Sequence, residues 1–199
     1  MYKKELIKLS QAGVRYMVIG GVALGLSGYP RATLDLDLLV DFSEENLDKF
    51  LQVVNRMGYR SRVPVDLSLL KDPRERKKWT EEKGAKVFSF YQVKKPHLQI
   101  DVLIDSPVPF IDAWKRSRIV AIGGEEVHVA CPEDLLLPKQ VASREKDRED
   151  IEVLKKIIQL EKVPPDQILR YMEEMRDFLL THMTKEGRRV FRALSSTKH

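Results

Sequence analysis

The chain has 199 residues, with 35 lysines and arginines against 30 acids for a formal charge of +5, and its composition is 43% hydrophobic and 33% charged. That length suits one sizeable domain with a compact extension, and the composition excludes a disordered or collagenous chain. The lone Cys131 excludes an internal disulfide framework and a cysteine-cluster zinc site. The longest apolar run, Met17 to Leu26, is half the ~20 residues of a membrane-spanning helix. No secretory signal is expected of the N-terminus, so a cytoplasmic protein with no membrane partner is the expectation.

In chain order, Glu5 to Gln11 reads as a short helix and Val14 to Ile19 as an apolar strand. Gly20-Gly21 breaks that strand, and a helical stretch from Val22 to Ser27 runs until Gly28 and Pro30 end it. From Leu34 to Val40 the chain alternates, placing Leu34, Leu36, Leu38 and Val40 on one strand face and Asp35 and Asp37 on the other. A helix opens at Ser43 with Leu47, Phe50, Leu51, Val54 and Met57 on its apolar side and Gly58 as its C-cap.

Residues 66–84 are charged and helical in part, with Pro73 near a helix start. Val87 to Val93 and Leu98 to Ile104 read as strands joined by a turn at Lys94-Lys95-Pro96-His97, and the second sets Asp101 opposite Leu98, Ile100, Val102 and Ile104. Phe110 to Arg116 reads as a helix, and Gly123-Gly124 as the turn of a smaller hairpin between Ile119–Ile122 and Val127–Ala130. Pro132-Glu133-Asp134 starts a helical region reaching Leu160, whose second segment presents Ile151, Leu154, Ile157 and Ile158. Pro164-Pro165 marks a boundary before an amphipathic helical tail (Ile168, Tyr171, Met172, Met175, Phe178, Leu179), which Gly187 divides from a last short helix. The expected fold class is α/β: a small, twisted, mixed sheet flanked by helices, with residues 1–131 as core and 132–199 as a helical C-terminal part.

Two carboxylates on one face of a strand repel one another unless a cation intervenes. Residues two apart on a strand lie about 6.6 Å apart, within reach of a pair of metal ions, and Asp101 would add a third ligand from another strand. Oxygen ligands favour Mg²⁺ or Mn²⁺. Gly20-Gly21, between a strand and a helix start, offers backbone N–H groups to a phosphate.

The run Val18-Ile19-Gly20-Gly21-Val22-Ala23, followed by Arg31-Ala32-Thr33-Leu34-Asp35-Leu36-Asp37, resembles the signature of nucleotidyltransferases of the DNA polymerase β superfamily, and most nearly the small members related to the minimal nucleotidyltransferases and AbiEii toxins. Similar to that group are Asp72-Pro73 with Arg76, Trp79, Lys83 and Gly84, and Ile100-Asp101-Val102. So is the stretch from Pro132-Glu133-Asp134-Leu135 through Lys139, Arg144, Lys146-Asp147 and Asp150-Ile151. The resemblance covers roughly residues 14 to 160. It implies that Asp35, Asp37 and Asp101 ligate Mg²⁺ or Mn²⁺, with Asp101 also activating the acceptor. It further implies that Gly20, Gly21, Arg31 and Thr33 hold the nucleotide, that Lys139 contacts its phosphates and that Asp150 orients Lys139. Many members have Gly-Ser where this chain has Gly20-Gly21, so backbone N–H groups stand in for a hydroxyl.

Blander readings stand beside these. Arg31 can pair with Asp35 or Asp37 instead of a phosphate, Lys139 and Asp150 can form a plain salt bridge between helices, and Trp79 suits a core as well as a base-stacking platform. The basic clusters Arg74 to Lys78, Lys115 to Arg118 and Arg188 to Arg192 read first as solvated helix faces. The expected function is metal-dependent transfer of a nucleoside monophosphate from an NTP to a hydroxyl on an RNA such as tRNA, a protein or a small molecule, with a cognate antitoxin as a candidate partner. The alternative is a nucleotide-binding or partner-binding protein without turnover.

Overall fold

The computed structural model describes residues 2–29, 33–164, 176–178 and 181. Short apolar strands and amphipathic helices alternate early in the chain, and burying both kinds of apolar face requires layers. The helix α1 (Lys3–Gln11) leads into β1 (Tyr16–Val18), α2 (Gly20–Leu26) and β2 (Asp35–Val40). There follow α3 (Glu44–Arg56), β3 (Tyr59–Ser61), a 3₁₀ turn at Leu67–Lys71 and α4 (Pro73–Lys83). The hairpin β4 (Val87–Gln92) and β5 (Lys95–Leu103) precedes α5 (Phe110–Arg116) and the hairpin β6 (Arg118–Ile122) and β7 (Glu125–Val129). Two helices, α6 (Pro132–Ala142) and α7 (Arg148–Glu161), follow.

All seven strands join one mixed sheet in the order β3-β4-β5-β2-β1-β7-β6. β2 lies antiparallel to β1 and parallel to β5, while β1 runs parallel to β7. The sheet is the α/β arrangement expected.

Alternation along β2 and β5 sorts side chains by face. Leu36, Leu38, Ile100 and Val102 are buried on one side, joined there by Phe88 and Phe90 of β4 and by Leu47, Phe50 and Val54 of α3. Phe50 meets Phe90 edge-on at 5.8 Å, and Trp79 of α4 stacks on Phe88 at 5.8 Å, which makes Trp79 a core residue. Asp35 and Asp37 lie on the opposite face.

The structure differs from the sequence reading at several joints. Helix α2 begins at Gly20, so the Gly-Gly pair is its first turn and not a break before it. Leu34 precedes the strand and is 65% exposed. The turn of the β4–β5 hairpin is Val93-Lys94, and Lys95, Pro96 and His97 belong to β5. The register jumps there, from Tyr91↔Gln99 to Gln92↔Lys95. The extra residues form a bulge that accommodates Pro96, which has no N–H to give to a ladder. The helical region from Pro132 is interrupted where Ser143 takes a left-handed φ of 46°, followed by a 3₁₀ turn at Glu145–Asp147. Of the expected tail, Phe178 is described and packs against the core. Ile168, Tyr171, Met172, Met175, Leu179 and Gly187 lie outside the described residues. Among the described residues no helix is long and apolar enough to cross a membrane.

Candidate active site

The register of β2 and β5 places Asp37 directly beside Asp101, and Asp35 beside Gln99. Parallel neighbours one strand apart point their side chains to the same face about 4.8 Å from each other. Asp37 and Asp101 therefore face one another across a single strand spacing, with Asp35 one repeat along the same face. Both line a cleft of about 460 Å³ floored by Met17, Leu39 and Leu103, bounded by the 105–108 loop after β5 and roofed by Leu135, Pro138 and Lys139 of α6.

Crowded carboxylates resist ionisation. Burial, then the neighbouring charges of Asp101 and Asp35, push the Asp37 carboxyl up to about 6, against the opposing pull of the Lys139 ammonium and a hydrogen bond from the Gly21 N–H. The Gly-Gly turn is thus built around Asp37. Gly20 has φ +64°, and a Cβ there would lie 2.0 Å from Asp37 Oδ2, so only glycine lets this carboxylate sit against the turn. A Cβ on Gly21 would meet Thr33 Cβ at 2.9 Å. Thr33 donates from its hydroxyl to the Asp35 carbonyl at 3.2 Å, closing the approach to β2.

Lys139 reaches Asp147 Oδ1 at 3.0 Å and Asp150 Oδ2 at 2.6 Å. Asp150 is 1% exposed, so this ammonium balances a buried charge between α6 and α7 while also facing Asp37 across the cleft. The salt bridge between the helices is present, and the same Lys139 side chain lines the cleft.

The cleft lining thus brings together Gly20, Asp37, Asp101 and Lys139; Asp35, Gly21 and Thr33 adjoin it, and Asp150 stands behind Lys139. Arg31 lies outside the described residues. Sequence reasoning gave no role to Asp147, Arg144 or Gln99. Asp147 and Arg144 line the cleft, and Gln99 donates through Nε2 to both oxygens of Asp101 at 2.9 and 3.0 Å. The signal for Gln99 was its spacing of two from Asp101 on a strand, which puts both on one face.

The oxygen donors here are of the kind a hard divalent metal takes: burial and then the charges of Asp101 and Asp35 already raise Asp37, and a cation would relieve the repulsion. Among the described residues, no three His, Cys, Asp or Glu side chains close on a single point as they stand.

The mixed sheet thus brings carboxylates from two parallel strands to one cleft, with a lysine from a following helix opposite them. The chain belongs to the family described as nucleotidyltransferase of unknown function (DUF6036), which matches residues 3–178. It is accordingly an enzyme of nucleotidyl transfer. No curated protein matches it.

Among solved structures it is similar to two of ANT(2'')-Ia. The solution structure of that antibiotic-resistance factor has 14% identity, covering 97% of this chain and 90% of that one at a TM-score of 0.46. The crystal structure with adenylyl-2"-tobramycin has 16% identity, with 95% and 91% covered and a TM-score of 0.44. An antigenic nucleotidyltransferase-like protein from Paracoccidioides brasiliensis has 16% identity over 90% of this chain and 85% of that one, at a TM-score of 0.49.

Proposed function

We propose that the protein transfers a nucleoside monophosphate from an NTP to a hydroxyl acceptor on an RNA, a protein or a small molecule, in a reaction dependent on Mg²⁺ or Mn²⁺. The observation that carries this reading is the juxtaposition of Asp37 and Asp101 in register on adjacent strands, with Asp35 on the same face and Lys139 opposite. In this reading Asp35, Asp37 and Asp101 hold the metal, which supplies charge neutralisation for the triphosphate and for the leaving pyrophosphate.

The chain's own groups do the rest. Lys139, held by its hydrogen bonds to Asp147 and Asp150, offers an N–H to a phosphate oxygen from the α6 side of the cleft. The Asp101 carboxylate accepts the proton of the acceptor hydroxyl as its oxygen bonds to the α-phosphorus, and the bond from that phosphorus to the bridging oxygen breaks to release pyrophosphate. Gly20 leaves Asp37 the room it occupies, while Gly21 and Thr33 flank the nucleotide's approach, and Arg31 is assigned to the nucleotide from the sequence signature alone. The core of residues 1–131 supplies the carboxylates, and residues 132–199 supply Lys139 and Asp150. A cytoplasmic setting and a cognate antitoxin belong to the same proposal.

The test is to incubate the purified protein with each labelled NTP, Mg²⁺ and either total RNA or cell lysate. Label should pass to one macromolecular or small-molecule fraction and disappear with chelator. No transfer from any of the four NTPs to any fraction would overturn the reading.

A further inference from the structure

The site face of the sheet carries two rows of side chains across four strands. Asp37, Asp101 and Ser89 are register neighbours along one row, and Asp35, Gln99, Tyr91 and Arg60 along the next. Arg62, just beyond β3, is tied alongside by its N–H to the Ser89 carbonyl at 3.0 Å.

Between the rows runs a directed set of hydrogen bonds. Arg62 Nε donates to Gln99 Oε1 at 2.7 Å, and Gln99 Nε2 donates to Asp101 Oδ1 and Oδ2 at 2.9 and 3.0 Å. The amide has only one workable orientation. A guanidinium can only donate and an ionised carboxylate can only accept, so the carbonyl end must face Arg62 and the NH₂ end must face Asp101. Arg62 is itself seated by its guanidinium over the Tyr91 ring at 5.8 Å. Gln99 is fixed from the backbone as well, because its N–H donates to the Tyr2 hydroxyl at 2.9 Å and Tyr2 in turn donates to the Leu34 carbonyl.

We propose that Gln99 is the positioning residue for Asp101, with Arg62 as its anchor, and that this relay holds the Asp101 carboxylate on the cleft side in the orientation that transfer requires. The inference rests on the site reading above, in which Asp101 is the group that touches metal and acceptor. An amide dipole aligned by a fixed cation presents its positive end to the carboxylate, which resists rotation of Asp101 out of the cleft and offsets its repulsion with Asp37. A carboxylate has about four acceptor positions, so one amide donor leaves Asp101 able to bind a cation and to take a proton.

Neither Gln99 nor Arg62 lines the cleft, and the side-chain bonds of Gln99 to the site go to Asp101, so removal of the relay is expected to act through that carboxylate. At saturating metal, Gln99→Leu is expected to lower kcat ~10-fold, the lower end for loss of a group that orients a ligand, while KM for the NTP stays within about twofold. Gln99→Glu, which keeps the shape but turns a donor into an acceptor, should lose at least as much. Arg62→Ala should lose about threefold and add nothing on top of Gln99→Leu.

The deciding experiment is a double-mutant cycle in the full chain, read by kcat and also by Mn²⁺ affinity in electron paramagnetic resonance with a non-hydrolysable NTP analogue. Gln99→Leu should weaken Mn²⁺ binding about tenfold alone and less than twofold in the Asp101→Asn background. Wild-type kcat and Mn²⁺ affinity in both folded Gln99 variants would overturn the proposal. So would a Gln99→Leu loss that persists undiminished in Asp101→Asn, since that marks a general structural role. Wild-type transfer by Asp101→Asn itself is a different failure: it removes the site reading on which the relay rests.

Discussion

Asp37 is a half-buried carboxyl beside two other carboxylates, and burial and charge are in conflict there. Its carboxyl titrates near 6 in the folded protein against an ordinary value of 3.8. The folded state therefore binds more protons than the unfolded state between those two values. Stability contributed by protonated Asp37 is present at low pH and is lost as pH rises through that window; above it, the ionised carboxylate is a standing cost of ~1–3 kcal/mol. Asp37→Asn keeps an oxygen for the Gly21 N–H and removes the charge. In chelator, this variant should be more stable than wild type by ~1–3 kcal/mol at pH 7 to 8, with the difference shrinking towards zero near pH 4. Urea unfolding across that range measures it, and a gap that does not change with pH would show that charge is not its source. Under the proposed function that cost is offset when a cation binds.

At the scale of elements, legibility followed the strength of local periodicity. Asp35 and Asp37 were readable because Leu36 and Leu38 alternate with them, and the partner strand was readable because Ile100 and Val102 flank Asp101 in the same way. Strand β3 escaped notice because Tyr59–Ser61 is three residues long and follows a helix cap directly. The sheet order and the register of Asp37 with Asp101 are decided by packing between distant segments, which a local pattern does not encode. The same holds for Gln99, an unremarkable polar residue until Arg62 and Asp101 are placed on either side of it.

The α6–α7 pair shows how a site residue can also hold an element in place. Lys139 is the ammonium beside Asp150, a side chain 1% exposed, and beside Asp147. Lys139→Met should therefore destabilise the fold, by up to ~3–5 kcal/mol, because it removes the Lys139 ammonium from a buried carboxylate, and Asp150→Asn added to it should restore part of the loss. Denaturant unfolding of the single and double variants checks this. A loss below about 1 kcal/mol for Lys139→Met would mean that water or another group already satisfies Asp150.

At the scale of the whole molecule, the cleft lies where two parts of the chain meet: the sheet contributes carboxylates and α6 contributes the lysine and the apolar roof. A ligand bound there touches both, so binding must report on the stability of the entire fold and not on one element. Under the proposed function metal and NTP should each be poor ligands alone. The carboxylates Asp35, Asp37 and Asp101 repel a triphosphate, and a divalent ion bound by few carboxylates normally completes its shell with phosphate oxygens. Each therefore supplies what the other lacks, and their joint effect on stability should exceed the sum of the separate ones. Ligand at 100 times its dissociation constant adds about 2.7 kcal/mol. For a chain of this size that raises Tm by about 5–10 °C. Thermal melts with Mg²⁺, with NTP and chelator, and with both should show a shift of that order only for the pair. Asp37→Asn should abolish the joint shift while leaving the protein without ligand more stable, an inversion that general damage to the fold cannot produce. If NTP raised Tm equally with and without chelator, the nucleotide would be held by Lys139 and the backbone alone, and the carboxylates would have no part in binding it.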